Sequence, residues 1–362
     1  MKPEKPTANS RFPHSVLVGN RVLVLLLPVL LLVVLGALPF ASRADSQRDW
    51  LPALLAKDSI TLVVTDSGLG GLSVVADAAE KFSRQRVFKE VNLVFFNALF
   101  SDQGGYNSLS TREEKLHVFS NALQSMQDRY APDIILVACN TLSVLIPDTG
   151  FVRTSAVPVV GIIEEGVAQI AAQLRDQPTA INILFATQTT VDEGTHLSGL
   201  RALGFSDAQV MTQSCPQLTL YIEQGFDSMD TELLIDAYVD EALSGMGKTA
   251  GPLSVSFNCT HFGYALEFWQ QAFASRGVEV AAYLDPNTRL VNFLLPAELQ
   301  QRYPRAKVTV KVVSMTDIPP ESRDSIGRWL HGVSPRTATA LRNFEHIPDL
   351  FEWRGPAAGS AK

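Results

Sequence analysis

Residues 59–85 read SITLVVTDSGLGGLSVVADAAEKFSRQ, and the way this stretch divides decides the fold. Ile60 to Thr65 is a short, unbroken, β-branched-rich apolar run, the pattern of a strand buried on both faces. Gly68, Gly70 and Gly71 interrupt it, and from Leu72 onward the apolar residues recur at helical spacing. Strand, glycine turn and amphipathic helix make the first part of a β–α–β unit, so the same alternation should continue downstream. Strand-like runs follow as VNLVFFN (91–97), IILVAC (134–139), VPVVGII (157–163), INILFAT (181–187), AQVMTQ (208–213), LSVSFNC (253–259) and VEVAAYLD (278–285). Helical patterns at 110–130, 164–177, 191–205, 231–245 and 265–277 lie among them. The spacing predicts an α/β protein with parallel sheets.

Upstream, Arg11 and Arg21 precede a stretch from Val22 to Ser42 with no charged residue, VLVLLLPVLLLVVLGALPFAS. An apolar block behind basic residues is an export signal, so residues 1–44 are set aside from the fold as a signal peptide or membrane anchor. Ser42-Arg43-Ala44 has the small residues of a cleavage site, yet about 20 uncharged residues also suffice to span a bilayer. On either reading the basic end stays inside. The rest of the chain is expected to be exported, either periplasmic or anchored in the inner membrane facing the periplasm. Leaving out residues 1–44, with five basic and one acidic side chain, takes the net charge from −7 to −11. That balance excludes the concentrated basic surface that nucleic acid requires. The 318 residues that remain of 362 exceed a single core and imply two compact domains.

In open α/β sheets, ligands bind beyond the carboxyl ends of the strands. Those ends carry Asp66-Ser67, Cys139-Asn140-Thr141, Thr187 with Thr190, and Cys259-Thr260-His261. Cys139 and Cys259 occupy equivalent positions, each after an apolar strand and before a helix, as expected of two similar half-molecules facing each other. A thiol there meets backbone N–H groups and a positive dipole end, which favours thiolate. Two such groups on opposite sides of one ligand could each take or give a proton. Other readings stay open at this point. A zinc site would find only His261 adjacent to a cysteine, a Cys–His hydrolase could draw on His117, His196 or His261, and both cysteines could be small core hydrophobes. With Cys215 the count is three, which is not a disulfide framework. In DSGLGGLS (66–73), Gly68, Gly70 and Gly71 would let N–H groups approach an anion while Asp66 holds an ammonium, and an amino acid carries both groups.

Taken in order, VVTDSGLGGLSV, LVACNTLS, VPVVGIIEEGVAQIA, LFATQTTV, SCPQLTLYIEQG and SFNCTHFGY resemble the segments of the cofactor-independent aspartate/glutamate racemase family, from about Ile60 to about Asp285. The resemblance implies two parallel-sheet α/β domains related by a pseudo-twofold axis, with the active site in the cleft between them. The first would take residues 58–157 with 278–345 and the second 158–277, leaving 346–362 as a tail. It implies that Cys139 and Cys259 are the two acid/base thiols and that Asp66, Ser67, Gly104, Gly105, Asn140, Thr141, Thr260 and His261 surround the substrate. Glu223, Thr187 and Thr190 would give support, and Cys215 would be structural.

The expected function is an exported racemase for glutamate or a similar acidic amino acid, with no cofactor, no metal and no pyridoxal phosphate. The alternatives are an aspartate or hydantoin racemase of the same family, or a catalytically silent extracytoplasmic amino-acid-binding protein. Expected partners are the amino acid, a membrane where Val22 to Ser42 is retained, and a second copy in a homodimer. Three departures bear on selectivity. NALFSDQGGYNSLS (97–110) stands where the family carries a Pro-Tyr-Gly turn, Asn258 replaces a glycine before the second cysteine, and Phe262-Gly263 replaces Tyr-Pro after its histidine.

Overall fold

A computed structural model of the chain describes residues 48–101, 105–246 and 251–354. The leader, Gly104 and the final GPAAGSAK lie outside the described residues. Among the described residues no helix is long and apolar enough to cross a membrane.

Among the described residues, ten strands form two sheets. They are β1 (Ser59–Asp66), β2 (Glu90–Asn97), β3 (Ile134–Val137), β4 (Val159–Gly161), β5 (Ile181–Ala186), β6 (Val210–Ser214), β7 (Leu253–Asn258), β8 (Val280–Leu284), β9 (Lys307–Ser314) and β10 (Glu345–His346). The first sheet runs β10-β9-β2-β1-β3-β4 and the second β6-β5-β7-β8, and every pairing is parallel. Its interior strands are continuous apolar runs because helices cover both faces. Leu62 to Val64, Ile134 to Val137 and Ile183 to Ala186 are all buried.

The two sheets share one plan. Within β1 to β4 the order is 2-1-3-4, and β5 to β8 repeat it as 6-5-7-8. In each half the chain leaves the first strand to one side, then returns for the third strand on the other. The gap between first and third strands is therefore the topological switch point, where an open α/β sheet receives ligands. Register fixes what stands there. Thr65 is level with Val137, so Asp66 ends one side of the first gap and Cys139 follows on the other. Ala186 is level with Asn258, which brings Thr187 beside Cys259 in the second.

Two expectations are adjusted. β4 at Val159–Gly161 belongs to the first sheet and β8 at Val280–Leu284 to the second, so the sheets exchange chain later than the boundaries at 157 and 278. The cause is that the fourth strand of each half pairs with the cysteine-bearing strand of the same half. The segment from 346 is also more than a tail as far as Arg354. Ile347 N–H donates to Ser314 O (2.8 Å), Leu350 and Phe351 are buried, and Arg129 and Asn121 of the helix Arg112–Tyr130 donate to the carbonyls of Asp349 and Glu352. Four apolar side chains in seven residues made this segment worth burying. Residues 300–345, expected in the first domain, add β9 to the edge of β2 and supply the helices Pro320–Val333 and Pro335–Arg342.

Candidate active site

The carboxyl ends of the two sheets open on one cavity of about 330 Å³, and both Cys139 and Cys259 line it. Each sulfur has its own partners. On the first side, Ser67 Oγ lies 3.2 Å from Cys139 Sγ. Asp66 is fully buried beside them, where its Oδ1 accepts from the Ser67 N–H (2.7 Å) and its Oδ2 from Thr260 Oγ1 (2.7 Å). Burial pushes the Asp66 carboxyl above its ordinary value, against the opposing pull of His261 and these hydrogen bonds.

Cys139 departs from the expected low-pKa thiol. Burial and the Asp66 charge push it well above the usual thiol range, and its bonds to Ser67 and to the Leu142 N–H do not compensate. The helix that follows it is only Asn140–Ser143, too short to sum a sizeable dipole.

On the second side, Cys259 Sγ lies 3.8 Å from His261 Nδ1, and His261 Nε2 lies 2.7 Å from Glu223 Oε1. Burial alone would lower the imidazole, but the bonds to Cys259 and Glu223 and the charge of Glu223 raise it well above its ordinary value. The ring is therefore held between a sulfur and a carboxylate, both of which favour its protonated form. Glu223 comes from the helix Leu218–Gly225, and the same Oε1 accepts the N–H of Leu69 from the glycine turn (2.8 Å).

A third group joins the halves. Thr141 Oγ1 lies 3.1 Å from Thr187 Oγ1 and 3.4 Å from Thr190 Oγ1, and the latter two are 3.0 Å apart. These three hydroxyls and the side chain of Asn140 all line the cavity.

The structure thus brings together Asp66, Ser67, Cys139, Asn140, Thr141, Thr187, Thr190, Glu223, Cys259, Thr260 and His261 on the same wall set. Gly105 is buried in the turn Gly105–Ser108 and does not line the cavity. A Cβ there would fall 2.6 Å from Leu99 Cδ1, so the residue packs the loop while Asn107 presents a side chain. His117 sits on the exposed face of its helix against Asn121 (3.3 Å), and His196 is buried away from the cavity wall. Among the described histidines, only His261 lies beside a cysteine. Cys215 is a buried core thiol, raised well above the ordinary value by burial, and all three cysteines are free. Among the described residues no group of three or more metal-ligating side chains is placed to hold an ion.

Leu99, Asn107, Thr219 and Leu220 also line the cavity and were not singled out in the sequence. Leu220 carried a weak signal, an apolar residue on the exposed side of its helix at 52% exposure. Outside the cavity, Asn287 donates from one amide to Thr260 O (2.8 Å) and to Ser73 Oγ (2.9 Å). It ties the loop of the second cysteine to the helix after the glycine turn.

Comparison with known proteins follows this geometry. A glutamate racemase of Chlorobium phaeobacteroides is 26% identical over 200 residues, 55% of this chain and 66% of its own length. Glutamate racemase 3 of Caldanaerobacter subterraneus is 23% identical over 227 residues, 63% of this chain and 74% of its own length. The chain thus spans about two thirds of the length of such curated relatives. Among solved structures, the glutamate racemase of Campylobacter jejuni has a TM-score of 0.57 at 20% identity, covering 75% of this chain and 98% of its own. That of Francisella tularensis, solved in complex with D-glutamate, has a TM-score of 0.57 at 19% identity, covering 80% and 98%. No family model matches the chain. Sequence likeness to curated glutamate racemases and the shared fold of the solved ones point the same way, and both support a place for the chain in the aspartate/glutamate racemase family.

Proposed function

We propose that the protein is an exported, cofactor-independent racemase that acts on glutamate or a similar acidic amino acid by proton transfer between Cys139 and Cys259. The observation that carries this reading is the pair of strand-end thiols opening on one cavity, each with its own polar partners. The substrate α-carbon sits between the sulfurs. One thiolate takes the α-proton as the opposite thiol delivers a proton to the other face; the C–H bond breaks on one side and forms on the other, and the two cysteines exchange protonation states. Charge left on the α-carbon passes into the substrate carboxylate, so that group needs preorganised donors. Asn140, Thr141 and Thr260 are available for it. The ammonium faces Asp66 and Glu223, the carboxylates of the cavity wall.

Glutamate is the first substrate to test because curated relatives carry that name. Exchange of the α-hydrogen in deuterium oxide, followed by NMR across a panel of enantiopure amino acids, reads the chemistry directly. Cys139→Ser and Cys259→Ser should each slow exchange by about 1000-fold or more, on the order of 4 kcal/mol of barrier. Wild-type activity in either variant would refute the mechanism. Stereospecific binding without exchange would instead mark a silent amino-acid-binding protein. The export part of the proposal rests on Val22 to Ser42 and is tested with the same assay on periplasmic, membrane and cytoplasmic fractions; activity confined to the cytoplasm would refute it.

A further inference from the structure

The turn Pro286–Thr288 follows β8, where the chain leaves the second sheet on its way back to β9 of the first. Asp285 opens the turn, and its Oδ1 accepts the N–H of Asn287. The helix Leu72–Gln85 of the first half holds the same turn from the other side. Its Lys81 donates to the carbonyl of Thr288 and to Asn292 Oδ1 (2.8 Å). Between these anchors the side chain of Asn287 is buried, at 3% exposure.

The Asn287 amide donates into both halves of the molecule. Its Nδ2 lies 2.9 Å from Ser73 Oγ, which itself donates to Gly70 O (2.8 Å), and 2.8 Å from Thr260 O. Thr260 is the residue after Cys259, and its carbonyl belongs to the peptide that joins it to His261. The two side chains flanking that peptide are the ones the site depends on. Thr260 Oγ1 donates to Asp66 Oδ2, and His261 Nδ1 stands beside Cys259 Sγ. One bond to one carbonyl therefore fixes both. Thr260 is itself buried, so without Asn287 its carbonyl loses a donor that bulk water cannot readily replace, and the loop moves toward another partner.

We propose that Asn287 is a positioning residue for the Cys259 side of the reaction: by holding the Thr260 carbonyl against Ser73 of the opposite half, it sets Thr260 on Asp66 and His261 on Cys259. The role rests on the racemase reading above. Asn287 does not line the cavity and acts only through these neighbours. Cys139 has its own partners in Ser67 and the Leu142 N–H, so the effect falls chiefly on the second sulfur. A protonated imidazole beside a sulfur makes it the more reactive nucleophile.

Two readouts on the full chain test the role: kcat and KM for α-hydrogen exchange with glutamate, and the alkylation rate of each cysteine by iodoacetamide, resolved by peptide mass spectrometry. Asn287→Ala, and Asn287→Asp, which keeps the shape without the NH₂ group, should lower kcat by about 10- to 100-fold, more than they change KM. Both should slow alkylation of Cys259 by about threefold or more while Cys139 changes less. Asn287→Gln, with an amide on a longer stem, should recover part of both. A merely structural role would lower the thermal midpoint, leave kcat per folded molecule intact, and speed alkylation at all three cysteines, the core thiol Cys215 included; that pattern would overturn the proposal. Wild-type kcat with wild-type Cys259 alkylation in the folded alanine and aspartate variants would overturn it as well. Absence of α-hydrogen exchange by the wild type on every amino acid of the panel is a separate failure, which needs no variant to see; it would overturn the racemase reading and this role with it.

Discussion

Asp285, just past β8, is half-buried, with Oδ1 accepting the N–H of Asn287 (3.0 Å). Burial pushes it up to about 7, the Asn287 N–H opposes this, and Asp77 adds to it. A Cβ at residue 263 would fall 2.4 Å from its Oδ2, which accounts for a glycine two positions after His261 where the family pattern carries proline. Because its folded pKa lies above the ordinary 3.8, the native state holds a proton between about pH 4 and 7 that the unfolded chain has released. Native stability from this group is therefore greatest at the acidic end and falls as pH rises, by at most about 1.4 kcal/mol per pH unit. Asp285→Asn has no proton to lose. Its thermal midpoint should rise relative to wild type as pH goes from 5 to 8; a difference independent of pH would refute the assignment. Single residues differ in how far the sequence exposes them. His261 lies two positions from Cys259, so their meeting needed no long-range knowledge. Glu223 came only through the family resemblance, and Asp285 not at all, because its neighbours come from separate elements.

The glycine turn is the element whose purpose changes most between sequence and structure. DSGLGGLS suggested N–H groups opened toward an anion, and Gly68 does line the cavity. Beyond it, Gly70 faces the other half of the molecule. A Cβ on Gly70 would fall 2.2 Å from Thr260 Oγ1, 2.8 Å from Thr260 Cβ and 2.6 Å from His261 Nδ1. Tyr264 OH donates to the carbonyls of Leu69 (3.0 Å) and Gly70 (3.1 Å), and the Leu69 N–H is taken by Glu223. Gly68 and Gly70 leave room for the loop of the second cysteine and its partner Glu223, while Gly71 packs on Asp66 and Ala138. Gly70→Ala should accordingly cost about 1–3 kcal/mol by overpacking and slow α-hydrogen exchange at least tenfold, by moving Thr260 and His261. A folded alanine variant with the wild-type exchange rate would contradict this packing account. Strands were the most legible elements, since buried parallel strands are marked by composition alone. Loops such as 97–110 were least so. Which side chain such a loop turns inward, here Asn107 and Leu99, depends on what it packs against.

At the scale of the whole molecule, the repeated order 2-1-3-4 and 6-5-7-8 explains why two cysteines 120 residues apart reach one cavity: each follows the third strand of its half, at the same switch point. That symmetry was readable from the matching strand–cysteine–polar contexts. The part without a counterpart in the second half was not. The helix Pro320–Val333 packs on both Leu72–Gln85 of the first half and Leu218–Gly225 of the second, with Ser325 Oγ donating to Ile222 O (3.2 Å) and accepting from the Phe226 N–H (3.0 Å). Its contacts lie roughly 100 and 250 residues upstream, a range at which no local pattern reports them. The helix holds in place the element that carries Glu223, and through it the His261–Cys259 side of the site. Ile326, fully buried on this helix, gives the means to test the linkage. Ile326→Ala should destabilise the protein by about 2–5 kcal/mol in urea unfolding. It should also lower kcat while the protein remains folded, because Glu223 loses its fixed position against His261. Loss of stability with an unchanged kcat would show that the C-terminal helix supports the fold alone, and that the two halves hold the second cysteine's partners without it.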